Sequence, residues 1–172
     1  MKKSILFVIL VALFAALLSV PSSAGTLNIS GRAGMYNPGG GANPSLMYGV
    51  SADYGITQNI SVRGAVETTT YNTGGNSVTY MPVTADLIYN QTIGGIFTPY
   101  VGAGLSYNST SVAGNTTSTT GYQAEAGIKM AIGGFNAGIE YRYMVPDSAH
   151  SNLTTSNTSA YMEGSFAQSF SF

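Results

Sequence analysis

From Thr26 onward the chain alternates apolar and polar residues with period two, in one segment after another. That period marks a strand whose two faces differ chemically; a helix would repeat every 3.6 residues. Eight such segments can be marked. Segment 26–36 sets Leu27, Ile29, Ala33 and Met35 on one face, and 45–56 does the same with Leu46, Tyr48, Val50, Ala52 and Tyr54. In 60–71 the apolar set is Ile60, Val62 and Val66; in 77–90 it runs from Thr79 and Met81 through Val83, Ala85 and Leu87 to Tyr89. Segment 97–107 alternates Phe97, Pro99, Val101, Ala103, Leu105 and Tyr107 against Tyr100, Gly102, Gly104 and Ser106. Segments 121–131 and 135–144 follow, with Tyr122, Ala124, Ala126, Ile128 and Met130, then Phe135, Ala137, Ile139, Tyr141 and Tyr143, in phase. The eighth, 161–172, sets Met162, Gly164, Phe166, Gln168, Phe170 and Phe172 against Tyr161, Glu163 and small residues.

The connections alternate in kind. Glycine-rich or Ser/Thr/Asn-rich stretches at 37–44, 72–76, 108–120 and 145–158 read as loops, and 57–59, 91–96 and 133–134 as short turns. Strands of about ten to twelve residues tilted near 40° rise about 25 Å, the height of a membrane barrel's apolar band. Eight is an even number, as single-chain bacterial barrels require. The predicted fold is therefore all-β, an eight-stranded antiparallel up-and-down transmembrane β-barrel.

Charge placement tests this assignment. Of six Lys/Arg and seven Asp/Glu, Lys2 and Lys3 lie near the start and Asp147 in the last predicted loop. The other ten, Arg32, Asp53, Arg63, Glu67, Asp86, Glu125, Lys129, Glu140, Arg142 and Glu163, all fall on the face opposite the apolar set. A lysine or arginine facing lipid near the midplane costs about 2–4 kcal/mol, so a membrane barrel turns its charges inward. A soluble barrel would have the reverse arrangement. The pattern predicts a lumen charge network built from these ten residues. Tyrosines near segment ends, where they face lipid, fit an interfacial aromatic girdle.

Only 8% of residues are charged, against about 25% in a typical soluble domain. Without cysteine there is no disulfide or thiol chemistry, and a net charge of −1 offers no footprint for nucleic acid. Lys2-Lys3, the apolar run 5–18 and the small residues Ser22 and Ala24 describe a secretory signal peptide cleaved after Ala24, so 1–24 is read as signal and 25–172 as barrel.

Several stretches resemble the small OmpA/OmpX-like, opacity-type family of outer-membrane barrels: Pro99-Tyr100-Val101-Gly102-Ala103-Gly104-Leu105-Ser106-Tyr107, Gly138-Ile139-Glu140-Tyr141-Arg142-Tyr143 and Pro82-Val83-Thr84-Ala85. The ending is similar to the C-terminal signal read by the outer-membrane assembly machinery, with Phe166, Phe170 and Phe172 in aromatic positions and Gln168 where another apolar residue is usual. The resemblance implies export to the outer membrane of a diderm bacterium and insertion from the periplasm with the loops outward. The partners it implies are periplasmic chaperones, the assembly machinery, and outer-membrane lipid with lipopolysaccharide. The peptidoglycan-binding domain of longer members is expected to be absent.

Such barrels are structural or adhesive proteins, narrow pores, or lipid-modifying enzymes. His150 is the single histidine; His150-Ser151-Asn152 with Glu163 resembles the His-x-Ser-Asn and Glu set of lipid A deacylases. Here, however, His and Ser are adjacent, so they do not project from one strand face. One histidine and no cysteine supply no transition-metal site, and no helix follows the glycine clusters to make a phosphate cradle. No catalytic, metal or cofactor residue is expected. The reading is a structural or surface-interaction barrel with a largely plugged lumen, the alternative a narrow channel for small polar solutes, and the third a lipid A-modifying enzyme.

Overall fold

The computed structural model describes residues 26–150 and 154–167. Eight strands follow in order: β1 (Thr26–Asn37), β2 (Ser45–Gly55), β3 (Ile60–Thr73), β4 (Asn76–Asn90), β5 (Phe97–Val112), β6 (Asn115–Ile132), β7 (Phe135–Val145) and β8 (Thr155–Ala167). Each pairs antiparallel with the next, and β8 pairs back onto β1 to close the barrel. Closure is the only sheet arrangement that leaves no unpaired backbone edge in hydrocarbon, where each unsatisfied group costs several kcal/mol.

The register fixes the barrel's shape. Stepping between direct partners from Leu27 leads through Tyr54, Val62, Leu87, Ala103, Ala124, Tyr143 and Ser156 back to β1 at Asn37. The circuit thus climbs ten residues. With eight strands, that stagger sets a tilt of about 43° and a radius of about 8 Å. An interior that narrow is filled by side chains.

Alternation sorts the residues as the sequence predicts. Val50, Leu87, Leu105, Ile139 and Met162 point outward and are exposed, while Arg63, Glu67, Asp86, Glu140 and Arg142 are buried inside. Outward aromatics form two rings: Tyr48, Tyr107, Tyr122 and Tyr143 toward the loop end, and Tyr54, Tyr89, Phe97 and Phe135 toward the turn end. Between the rings the outer wall is aliphatic apart from Tyr141, two residues turnward of Tyr143 on β7. Tyr36 and Tyr71, which also lie near strand ends, do not join a girdle; they pack together, with Tyr36 buried inside.

Three boundaries differ from the expectation. The stretch 108–120, read as a loop, is strand except for a two-residue tip at Ala113-Gly114, where φ is 48° and 84°. Two consecutive positive-φ residues make the tight turn whose twist matches a hairpin. Likewise β3 and β4 continue to a tip at Gly74-Gly75. Both arms rise beyond the apolar band, where serine and threonine serve either face of a strand equally well. The last strand starts at Thr155 rather than Tyr161 and shortens the preceding loop. Phe166 lies in β8 opposite Leu27, whereas Phe170 and Phe172 lie outside the described residues.

Candidate functional site

Inward-facing charges on β1, β2, β3, β6 and β7 converge on one layer. Arg142 on β7 is fully buried and reaches three carboxylates: Glu67, Glu125 at 3.2 Å and Glu140 at 2.9 Å. Arg63 on β3 holds Asp53 at 2.9 Å, Glu125 at 2.9 Å and Glu140 at 2.5 Å. Arg32 on β1 pairs with Glu140 and stands 3.6 Å from Glu67. Glu140 is therefore shared by all three arginines, and it also accepts the Tyr100 hydroxyl at 2.7 Å. Guanidinium suits this position because its planar fork carries five donors, enough for several carboxylates at once.

Lys129 makes a separate pair with Glu163 at 3.0 Å nearer the turn end, where Asn136 also donates to Glu163 at 3.1 Å. Asp86 has no cation within ion-pairing distance among the described residues; Gln123 Nε2 donates to its Oδ1 at 2.6 Å. Four cations face six carboxylates in this interior, leaving a formal charge of −2.

Apolar layers bound the arginine cluster on both sides. Toward the loops, Tyr36, Met47, Tyr80 and Met144 form a cluster in which the Tyr36 and Tyr80 rings stack at 5.2 Å. The Tyr80 hydroxyl donates to Asn108, whose amide in turn donates to Ser106 and to the Pro146 carbonyl. Toward the turns, Ile88, Tyr100 and Tyr161 form the second layer. Arg63 lies over the Tyr100 ring at 5.1 Å, and Arg32 over Tyr161 at 5.5 Å. Glycine makes room for both rings. A Cβ at Gly127 would meet the Tyr100 ring, and one at Gly138 the Tyr161 ring, each across a direct strand pair.

The ten charges singled out in the sequence all lie on the inner face of the wall. Parity in the sequence sets Tyr80, Tyr100 and Tyr161 on the face of the charges, but it does not show that with Tyr36, Met47, Met144 and Ile88 they assemble into two layers. His150 sits in the β7–β8 loop, where its Nδ1 meets Asp147 Oδ2 at 2.7 Å. That bond, with the Ala149 N–H, holds the Asp147 carboxyl below its usual range. Glu163 lies about 20 Å away along the barrel axis, near the opposite mouth. It is bound to Lys129 and Asn136. Ser151 and Asn152 lie outside the described residues. The described residues thus assemble no nucleophile, base and orienting group.

The sequence matches the family model described as "Outer membrane protein beta-barrel domain" over residues 7–166. The chain belongs to the outer-membrane β-barrel family. Among solved structures, it is similar to neisserial surface protein A, NspA, at 20% identity and a TM-score of 0.65, over 84% of this chain and 100% of that one. The N-terminal β-barrel domain of Pseudomonas aeruginosa OprF is similar at 19% identity and a TM-score of 0.62, covering 82% and 97%. The outer-membrane enzyme PagL aligns at 15% identity with a TM-score of 0.51, covering 79% and 97%. No curated protein matches the sequence. Membership in the outer-membrane β-barrel family gives the two rings of aromatics their environment, the two bilayer interfaces, and makes the aliphatic wall between them the lipid-facing surface.

Proposed function

We propose that this outer-membrane barrel is a structural or surface-interaction protein whose lumen is closed to ions. The observation that supports this is the layering of the interior. Three arginines make eight ion-pair contacts with four carboxylates at the level where a pore would need mobile water, and a tyrosine-containing apolar layer lies on either side. An ion crossing it would have to displace a guanidinium from two or three partners at once, in a medium where each such contact is strong. The uncharged Ser/Thr arms of β3–β4 and β5–β6 are the parts best placed to meet a partner outside the membrane. We further propose that segment 1–24 directs export, that the chain inserts from the periplasm with its loops outward, and that Phe166, Phe170 and Phe172 serve the assembly machinery.

The test is single-channel recording in planar bilayers. The folded protein is expected to stay silent across a range of voltages. Reproducible steps whose ion selectivity changes in Glu140→Gln or Arg142→Gln would instead make it a narrow pore. For the enzymatic alternative, a change in lipid A acylation that depends on His150 would overturn the non-enzymatic reading.

A further inference from the structure

The outer wall carries a groove of about 1000 Å³ whose middle crosses β7, β8 and β1. Gly31 and Ala33 on β1, Ala160 and Met162 on β8, and Ala137 and Ile139 on β7 line that middle. Met162 and Ile139 are 65% and 63% exposed, among the most exposed large apolar side chains of the barrel. Two residues of this face are not explained by the barrel itself. A Cβ on Gly31 would meet nothing within 4 Å and its φ is not positive, so neither internal packing nor a turn requires a glycine there. A glycine in mid-strand weakens the strand, and it often marks where another molecule comes close. The second is Tyr141, an aromatic two residues below the ring that Tyr143 joins.

The register gives the height of each residue. Rows of direct partners run Ala137–Met162–Gly31, Ile139–Ala160–Ala33 and Tyr141–Thr158–Met35 across β7, β8 and β1. The climb around the barrel raises each row by about 2.5 residues over these two steps. Ala137 is therefore level with Ile29, Ile139 with Gly31, and Tyr141 with Ala33, each within about 1 Å. At all three levels one strand is large where the other is small.

A symmetric pair of barrels inserted in the same direction has its two-fold axis along the membrane normal. With β8 beside that axis, β7 of each copy faces β1 of the other at equal height. Ile139 and Tyr141 then fill the space over Gly31 and Ala33 of the other copy, and Ile29 the space over Ala137. Thr158 is exposed on the outer face of β8, so its hydroxyl meets its own counterpart across the axis, one donating and one accepting. In lipid, association depends on such close packing, small residues and polar contacts rather than on a hydrophobic drive. A flexible acyl chain would fill any groove and accounts for neither the level-by-level match nor Tyr141.

We propose that this protein forms a symmetric dimer in the outer membrane through β7, β8 and β1. The face is about 20 Å wide and about 17 Å high, about 340 Å² per copy, against about 800 Å² in stable soluble complexes. The dimer is therefore reversible. It does not depend on whether the lumen conducts.

A reversible contact is best trapped covalently, in outer membranes isolated from cells expressing the whole chain. The chain has no cysteine, so Thr158→Cys supplies a single thiol beside the axis. Leu105→Cys supplies one at about the same height on a distant part of the wall. A membrane-permeant oxidant should link Thr158→Cys copies into a disulfide dimer in several times the yield of Leu105→Cys. Adding Gly31→Leu fills the hole and should weaken association about tenfold, as overpacking a fitted contact does. Adding Ile139→Ala to that variant removes the facing side chain and should restore the yield. Heat-modifiable gel mobility checks that each variant is folded. Ala33→Leu with Tyr141→Ala repeats the exchange one level higher should Gly31→Leu fold poorly. Equal yields at the two cysteines would overturn the proposal and leave the groove to lipid. So would a yield indifferent to both leucine substitutions, or one that neither exchange restores.

Discussion

Replacing Arg142 by methionine tests whether the interior is held by charge or merely filled. The guanidinium is fully buried and touches Glu67, Glu125 and Glu140. Methionine has a comparable length and no charge, so packing is largely kept while the interior moves from a formal −2 to −3. Removing one partner of a buried ion pair costs about 3–5 kcal/mol, mainly because the other charge is left unpaired. Glu140 keeps Arg32 and Arg63, and Glu125 keeps Arg63, which favours the lower part of that range. Glu67 keeps only Arg32, 3.6 Å away. With a urea slope of about 2 kcal/mol/M, the unfolding midpoint should fall by about 1.5–2 M. Tyrosine fluorescence or heat-modifiable mobility follows the transition, since the chain has no tryptophan. Adding Glu67→Gln to Arg142→Met should recover part of the loss, because the most exposed deficit is then removed. A single variant within about 0.5 kcal/mol of the parent, or a double variant no better than the single, would refute the account.

Asp86→Asn should behave oppositely to loss of an arginine. Among the described residues Asp86 has no cation within ion-pairing distance and both its Oδ2 and Gln123 Oε1 lack donors, so an amide supplies one and should stabilise by about 0.5–1.5 kcal/mol in the same urea assay. On the outer wall, Ile139→Arg at mid-height should cost about 2–4 kcal/mol, whereas Leu27→Arg near the turn-end interface should cost about 0–1 kcal/mol. Equal costs would contradict the assigned depths. The Asp147 carboxyl is held below its usual range chiefly by His150 and then by the Ala149 N–H. A depressed carboxylate stabilises the loop above its ordinary pKa of about 3.9 and loses that contribution as pH falls through the folded value. The clasp should accordingly persist at neutral pH and release in acid, with His150→Ala raising the Asp147 midpoint in an NMR titration.

Much of the architecture was legible because one period governs it. Parity alone separated Leu105 and Ile139 from Glu140 and Arg142, and a strand closed on itself has no other place to put two such faces. The arms at 108–120 were not legible, since serine, threonine and asparagine mean loop beside a soluble strand but not beyond a bilayer. The Ala113-Gly114 pair, flanked by Val112 and Asn115, was the available signal. Nor could the sequence say that Glu140 meets all three arginines. Glu140 and Arg63 lie 77 residues apart and on non-adjacent strands, and only the ten-residue stagger brings them to one height. Partners across a lumen depend on that integer, which no local pattern encodes.

The pairing of β8 with β1 has a consequence for how this chain can be cut and rejoined. Around a closed ladder no strand pair differs in kind from any other, so the place where the chain begins is a property of the gene, not of the ring. A permuted chain opened at the Gly74-Gly75 tip, with its old ends linked near Thr26 and Ala167, would present the same eight ladders and the same interior. It would move the closing seam to β3 and β4, and so reveal whether assembly follows the geometry of the ring or the order in which its strands arrive.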